Sequence, residues 1–345
     1  MMPSLPENKT GSLPVKSSQL PSRIVVRAPA KLNLFLELLA RRDDGYHEID
    51  TVMVPIDRYD TLLIRRTAEA GIHIRTHWWP SRQHWQQTLG GSRAEDLLSI
   101  PDDERNLIHR AIKATAALAG MPLNVAVDVR KRIPAGAGMG GASSDAAAAI
   151  RATAAILGLD GRDPRLAELA AEIGSDVPFF LGDGRGTGLV AAVRATGRGE
   201  KLAPFPLGKQ LRFLVAYPAE SLSTAAVYRQ SVVPLQPLTG QAMVDGLASG
   251  NISSIGEAMG NRLAQPAVKI STMVAYLLEQ MWHCGLPRCQ LTGSGAACFS
   301  LLDDTSDFCE LQRRLRTALE AKKLCAMIFY AETTSIPQPV RQSRV

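Results

Sequence analysis

The sequence predicts an α+β protein of two domains, and three observations carry that prediction. Four glycines in Pro134 to Ala147 (PAGAGMGGASSDAA) separate an alternating segment, Val125 to Ile133, from an alanine-rich run. The first reads as a strand and the second as a helix. A second series of strand, helix and strand signals follows from Leu211 and reads as a small α+β sandwich. The chain has 345 residues, 46% of them hydrophobic, enough for two cores.

The glycine stretch organises the rest. Glycine lets backbone N–H groups turn toward a ligand and approach it closely. A helix N-terminus adds free donors and the positive end of a dipole. Together they predict an anion site, with phosphate the usual occupant. A serine-capped turn would need fewer glycines. No Gly-Lys-Ser/Thr follows, so this is not a Walker loop. No βαβ context precedes it, so it is not a dinucleotide fingerprint.

Composition narrows the class of ligand. The formal net charge is +6, which suits an anionic small molecule or nucleic acid. The basic residues are dispersed and aromatics are only 5%, which argues against nucleic acid. Five cysteines, all late in the chain and without a CxxC, read as buried reduced thiols of a cytosolic protein. No apolar run reaches membrane-spanning length.

Residues 1–22 are polar, lack a secretory core and read as a disordered extension, with an organelle transit peptide as the alternative. The first domain spans 23–205. It opens with a strand from Arg23, a break at Pro29, a second strand from Leu32 and a turn at Asp44-Gly45. Residues 72–104 read as an insertion holding Trp78, Trp79, Trp85, His73, His77 and His84. Its tryptophans are expected to cover a sheet face, with a lid or dimer contact as the functional alternative. His73 and His77 have metal-like spacing only on a helix, which Pro80 opposes.

Helices are predicted from Asn106 to Leu118, Ala146 to Leu157 and Leu166 to Ile173. Asp176 follows in an irregular stretch. Six glycines from Gly182 to Gly199 read as turns between strands. The second domain, 206–334, is predicted to hold a strand at Leu211 to Pro218 and an amphipathic helix at Thr272 to His283. Thr292 to Gly295 reads as a tight turn between strands. A helix at Asp307 to Leu319 and a closing strand follow. Residues 335–345 read as a mobile tail.

Three elements, PAKLN and the glycine-bearing PAGAGMGGASSDAA and LTGSGAA, thus stand in order. They resemble the GHMP kinases, and the resemblance covers roughly Arg23 to Thr334. GYH at Gly45, Asp176 in GSDVPFF and GRGE at Gly197 narrow it. They point to members that phosphorylate the 2-hydroxyl of a cytidine-diphosphate-linked methylerythritol in the non-mevalonate isoprenoid route.

The resemblance implies a ribosomal-protein-like N-terminal domain carrying the phosphate loop, and a ferredoxin-like C-terminal sandwich. It implies that Lys31 and Asp176 are catalytic, and that Pro134, Ala135, Gly136, Ala137, Gly138, Met139, Gly140, Gly141, Ala142, Ser143 and Ser144 bind ATP. Mg²⁺ would come with the nucleotide, with Ser144 the candidate protein contact. Asn33, Tyr46, His47, Tyr228, Thr292, Gly293, Ser294 and Gly295 are implied to bind the substrate. Ala137 and Ala142 stand where the family usually has glycine. The implied partner is a small molecule rather than nucleic acid or membrane, and the protein a cytoplasmic monomer or homodimer. The rival readings are another GHMP kinase, of mevalonate or homoserine type, and a non-catalytic nucleotide-binding protein.

Overall fold

The computed structural model describes residues 20–90, 95, 97–182 and 191–342. It opens with a long hairpin of β1 (Arg23–Arg41) and β2 (His47–Arg66). Asp44 and Gly45 form its turn: Gly45 has φ +84°, and Arg42 N–H donates to the Tyr46 carbonyl at 2.8 Å. β1 does not break at Pro29. The strand runs through, and a register shift between Pro29 and Ala30 absorbs the residue that cannot donate to the ladder. Residues 28–38 are buried without alternation because both faces of β1 are covered.

Residues 72–78, expected as the start of an insertion, are instead strand β3 (Ile72–Trp78). It lies parallel to β4 (Val125–Lys131), with Ile72 opposite Val125 and Trp78 opposite Lys131. On a strand His73 and His77 are about 13 Å apart, too far to share a metal ion. After Pro80 comes α1 (Arg82–Leu89), with Ser81 accepting from His84 N–H at its start. Then follow α2 (Leu107–Leu118), capped by Asn106, and, after β4, α3 (Gly141–Leu157). α3 begins at Gly141, five residues before the expected start, so the serine pair lies inside its first turn. α4 (Pro164–Ile173), capped by Asp163, and the short α5 (Val177–Leu181) complete this layer. The glycine run at 184–188 lies outside the described residues.

Next come β5 (Ala191–Gly197), β6 (Lys201–Pro206), β7 (Arg212–Pro218), α6 (Thr224–Gln230), α7 (Gln241–Ser249) and α8 (Ile252–Ala258). β8 (Gly260–Asn261), α9 (Ala264–Ile270), α10 (Thr272–His283), β9 (Cys289–Leu291) and β10 (Cys298–Leu302) follow. The chain closes with α11 (Phe308–Glu320), β11 (Ala326–Glu332) and β12 (Arg341–Gln342).

These strands form an eight-stranded sheet, β12-β1-β2-β4-β3 with β5, β6 and β8 attached, and a four-stranded antiparallel sheet, β11-β7-β10-β9. α2 to α5 cover one face of the large sheet around Ile64, Val127, Ile150 and Phe179. The opposite side of β1 and β2 shares a core with the small sheet, through Leu32, Leu34, Phe299 and Leu291. Trp78 and Trp85 join that core edge-to-face at 5.2 Å, and α1 packs against β11. The segment is a strap from the large sheet to the small one. Trp79 alone of the three stays exposed, with the Arg130 guanidinium over its ring at 5.5 Å.

Two further expectations change. The tail from Ser335 is docked: Ile336 and Gln338 are buried, and β12 pairs with Ile24 and Val25 of β1. The five cysteines are free, but only Cys284 and Cys298 are buried; Cys309 is exposed. Residues 1–19, most of the expected extension, lie outside the described residues. Among the described residues no helix is long and apolar enough to cross a membrane.

Candidate active site

Four elements converge on Lys31. β1 presents Lys31 and Asn33 on one face, two residues apart. The backbone N–H of Lys31 donates to the Met139 carbonyl at 3.0 Å, stitching β1 to the glycine loop. The Lys31 ammonium donates to Asn33 Oδ1 and lies 3.6 Å from Asp176 Oδ2. Asp176 sits at the start of α5 without capping it, so its carboxylate is free for other work. Asn33 Nδ2 donates to Thr51 Oγ1 at 2.9 Å, and Asn33 N–H to Thr292 Oγ1 at 3.1 Å. The turn Thr292–Gly295 is thereby docked on β1.

The glycine loop meets this turn backbone to backbone. Ala297 N–H donates to the Ala137 carbonyl at 3.1 Å. A Cβ on Gly138 would lie 2.2 Å from the Thr292 carbonyl oxygen, so only glycine permits the approach. Gly136, Gly138 and Gly140 have positive φ, whereas Ala137 and Ala142 do not. The two alanines therefore impose no strain, and a methyl is tolerated at both positions. Met139 and Ser144 are buried, and neither lines the cavity that the rest of the loop opens onto. Ser144 Oγ has no hydrogen-bond partner among the described residues.

That cavity holds about 1430 Å³. Lys31, Asn33, Asp176, Gly293 and Ser294 stand along it. One region is lined by Thr76, Ile100, Asn106, Ile108 and Val129. Another is lined by Tyr46, His47, Tyr228, Arg198 and Val232. There His47 and Tyr228 stack at 5.4 Å, tilted by 42°. Tyr46, also implied to bind the substrate, stands at the rim, 59% exposed, with Arg198 over its ring at 5.2 Å. Burial, and then the nearby Arg41 charge, hold the His47 imidazole below its ordinary value. Burial, and then the Asp176 charge, push the Tyr228 phenol up, so it stays protonated.

Several residues in this machinery carried no readable signal. Asn261 Nδ2 donates to the carbonyls of Leu291 (2.9 Å) and Gly293 (2.8 Å), fixing the second turn from behind. Gln290 Nε2 donates to the carbonyls of Asn33 (3.0 Å) and Leu34 (2.9 Å). Under the glycine loop lies a buried cluster: Lys131 Nζ is 2.5 Å from Asp60 Oδ2 and 2.6 Å from Asp145 Oδ2. Burial disfavours the Lys131 charge, but two carboxylates outweigh it and hold its pKa above the ordinary value.

A strand-to-helix glycine loop, a second glycine turn and a Lys–Asp pair between them define a kinase of the GHMP class. Residues 106–184 match the family model for the GHMP kinases N-terminal domain. A crystal structure of 4-(cytidine 5'-diphospho)-2C-methyl-D-erythritol kinase superposes with a TM-score of 0.68 at 29% identity, over 90% of this chain and 99% of that one. Homoserine kinase from Cytophaga hutchinsonii superposes with a TM-score of 0.67 at 18% identity, over 96% of this chain and 100% of that one, a likeness of fold. The 4-diphosphocytidyl-2-C-methyl-D-erythritol kinase of Rhodopirellula baltica is 43% identical over 84% of this chain and 90% of its own length. The enzyme of the same name from Geobacillus sp. is 34% identical over 85% and 93%. The chain belongs to the family of 4-diphosphocytidyl-2-C-methyl-D-erythritol kinases.

Proposed function

We propose that the protein transfers the γ-phosphoryl group of ATP to the 2-hydroxyl of 4-diphosphocytidyl-2-C-methyl-D-erythritol. The observation that carries this is the Lys31–Asp176 pair, 3.6 Å apart where the glycine loop and the Thr292–Gly295 turn meet in one cavity. Phosphoryl transfer asks a protein chiefly for positioning and charge stabilisation. Asp176 accepts the hydroxyl proton as the oxygen attacks phosphorus and ADP departs. Lys31, 3.6 Å from Asp176, orients its carboxylate and offsets charge on the transferring group.

The loop residues Ala135–Gly138 and Gly140–Ser143 offer backbone donors and the α3 N-terminus to the ATP phosphates, with Pro134 on the wall beside them. Mg²⁺ would come with the nucleotide and neutralise phosphate charge there; Ser144, buried off the cavity wall, does not reach that position. Gly293 and Ser294 face the transferring end. Among the described residues, His47 and Tyr228, with Tyr46 at the rim, form the only aromatic-lined region of this cavity and suit a cytosine base. The region at Ile100, Asn106 and Ile108 is left for the adenosine of ATP. The protein is read as cytoplasmic and as acting on a small molecule without nucleic acid, as a monomer or homodimer.

The test is ATP consumption by purified protein against 4-diphosphocytidyl-2-C-methyl-D-erythritol, mevalonate, phosphomevalonate, homoserine and galactose. Turnover of the first alone is expected. Turnover of another instead would keep the kinase and retire the cytosine pocket.

A further inference from the structure

We propose that Asp60, Lys131 and Asp145 form a buried positioning network that fixes both ends of the glycine loop, and so sets affinity for ATP rather than for the cytidine substrate. The proposal rests on reading Pro134–Ser144 as the ATP phosphate loop. Pro134 itself has no N–H, and the two residues before it are held by one carboxylate. Asp60 Oδ1 accepts from Arg132 N–H at 2.5 Å and from Ile133 N–H at 2.9 Å. The other oxygen of the same carboxylate takes the Lys131 ammonium at 2.5 Å. Lys131 then reaches across the loop to Asp145 Oδ2, on the fifth residue of α3, at 2.6 Å. The exit of β4 and the entry of α3 are thereby tied through one ammonium.

The three side chains are 0–4% exposed, so water competes little for these bonds. Lys131 and Asp145 nevertheless line the cavity wall. A Cβ on Gly141 would lie 2.9 Å from Ile133 Cγ2 and 3.7 Å from Lys131 Nζ, so α3 starts directly on this cluster. Between the tied ends the loop has φ-positive glycines at 136, 138 and 140 and depends on its anchors for shape. None of the three residues touches the region of His47 and Tyr228 through a hydrogen bond or ion pair among the described residues.

Removing Lys131 would leave two buried carboxylates facing each other, and such a variant could fail to fold. The test therefore uses Asp145→Ala, which leaves the Lys131–Asp60 pair balanced, and Asp145→Asn, which restores an acceptor of the same shape. KM for ATP is expected to rise about tenfold or more in Asp145→Ala, an effect of misplacing groups by less than an ångström. KM for the cytidine substrate should stay within about twofold, and Asp145→Asn should recover ATP affinity. Equal rises in both KM values, an Asn variant as impaired as Ala, or a lowered melting temperature with unchanged KM would each overturn the proposal. Amide hydrogen exchange separates this from the underlying reading. If a non-hydrolysable ATP analogue fails to protect residues 134–144 in the unaltered protein, the phosphate-loop assignment falls. Protection there that persists undiminished in Asp145→Ala overturns the network alone.

Discussion

The two ends of the cavity are built in opposite ways. At the end proposed for phosphoryl transfer the contacts are buried and made largely by backbone: Lys31 N–H to Met139, Ala297 N–H to Ala137, and Gly138 against Thr292. At the end proposed for the base an exposed Tyr46 rests under Arg198, and the neighbouring loop presents Val232, Leu235 and Leu238 to solvent. The difference follows from what each end must do. Charge that develops during transfer is best met by donors already in place, because reorganising them then would raise the barrier. A planar base must enter, so its site can stay open until the base itself supplies a stacking face. Fixed geometry belongs where charge moves, and room belongs where the ligand arrives.

That contrast can be broken, starting at its rigid end. Asp176→Asn should lower kcat by about 10²–10⁴-fold while ATP binding stays near normal; full turnover would remove Asp176 from the mechanism. Gly138→Ala should cost on the order of 10²-fold in kcat/KM, because its Cβ would press on the Thr292 carbonyl and part the two glycine elements. Steady-state kinetics on folded protein would show this, and a neutral result would mean that the contact is not needed. Effects at the open end should be smaller and confined to one substrate. Tyr46→Ala should weaken cytidine-substrate binding by roughly 1–3 kcal/mol, as loss of a base–aromatic contact does. Calorimetry with no change in affinity would place the base elsewhere.

The smallest expected effect is on pH dependence. Burial and Arg41 depress the His47 pKa from its ordinary 6.5, so the imidazole is neutral at pH 7. If the neutral ring reads the base, KM for the cytidine substrate is flat above pH 6.5 and rises as pH falls through a midpoint below 6.5. His47→Gln should flatten that profile; an unchanged profile would assign the titration to another group.

The sequence showed best those features that a single residue type must produce. The Asp44-Gly45 turn, the helix beginning at Asn106 and the Thr292–Gly295 turn are local chemistry, and each stands where the residues indicated. The strand over Ile72–Trp78 was hidden because its partner, β4, lies some fifty residues later, and its polar residues mask the period-two pattern. Pro29 looked like a break because a register shift depends on the neighbouring strand. Lys131, Asp60 and Asp145 could not be assembled from sequence at all. Their association exists only once β2, β4 and α3 have been placed together. Lys31 and Asp176 were legible through family resemblance, whereas their 3.6 Å separation is a product of the fold.

The docked tail has a practical consequence for handling the protein. Arg341 and Gln342 cover the outer backbone edge of β1, and the Gln338 carbonyl accepts from the half-buried Arg151 of α3, the helix that follows the glycine loop. Trimming the chain after Thr334 would bare a strand edge able to recruit another molecule, and would strand a guanidinium without its acceptor. Loss of material to aggregation and weakened nucleotide binding would then come together, from a cut well outside the cavity.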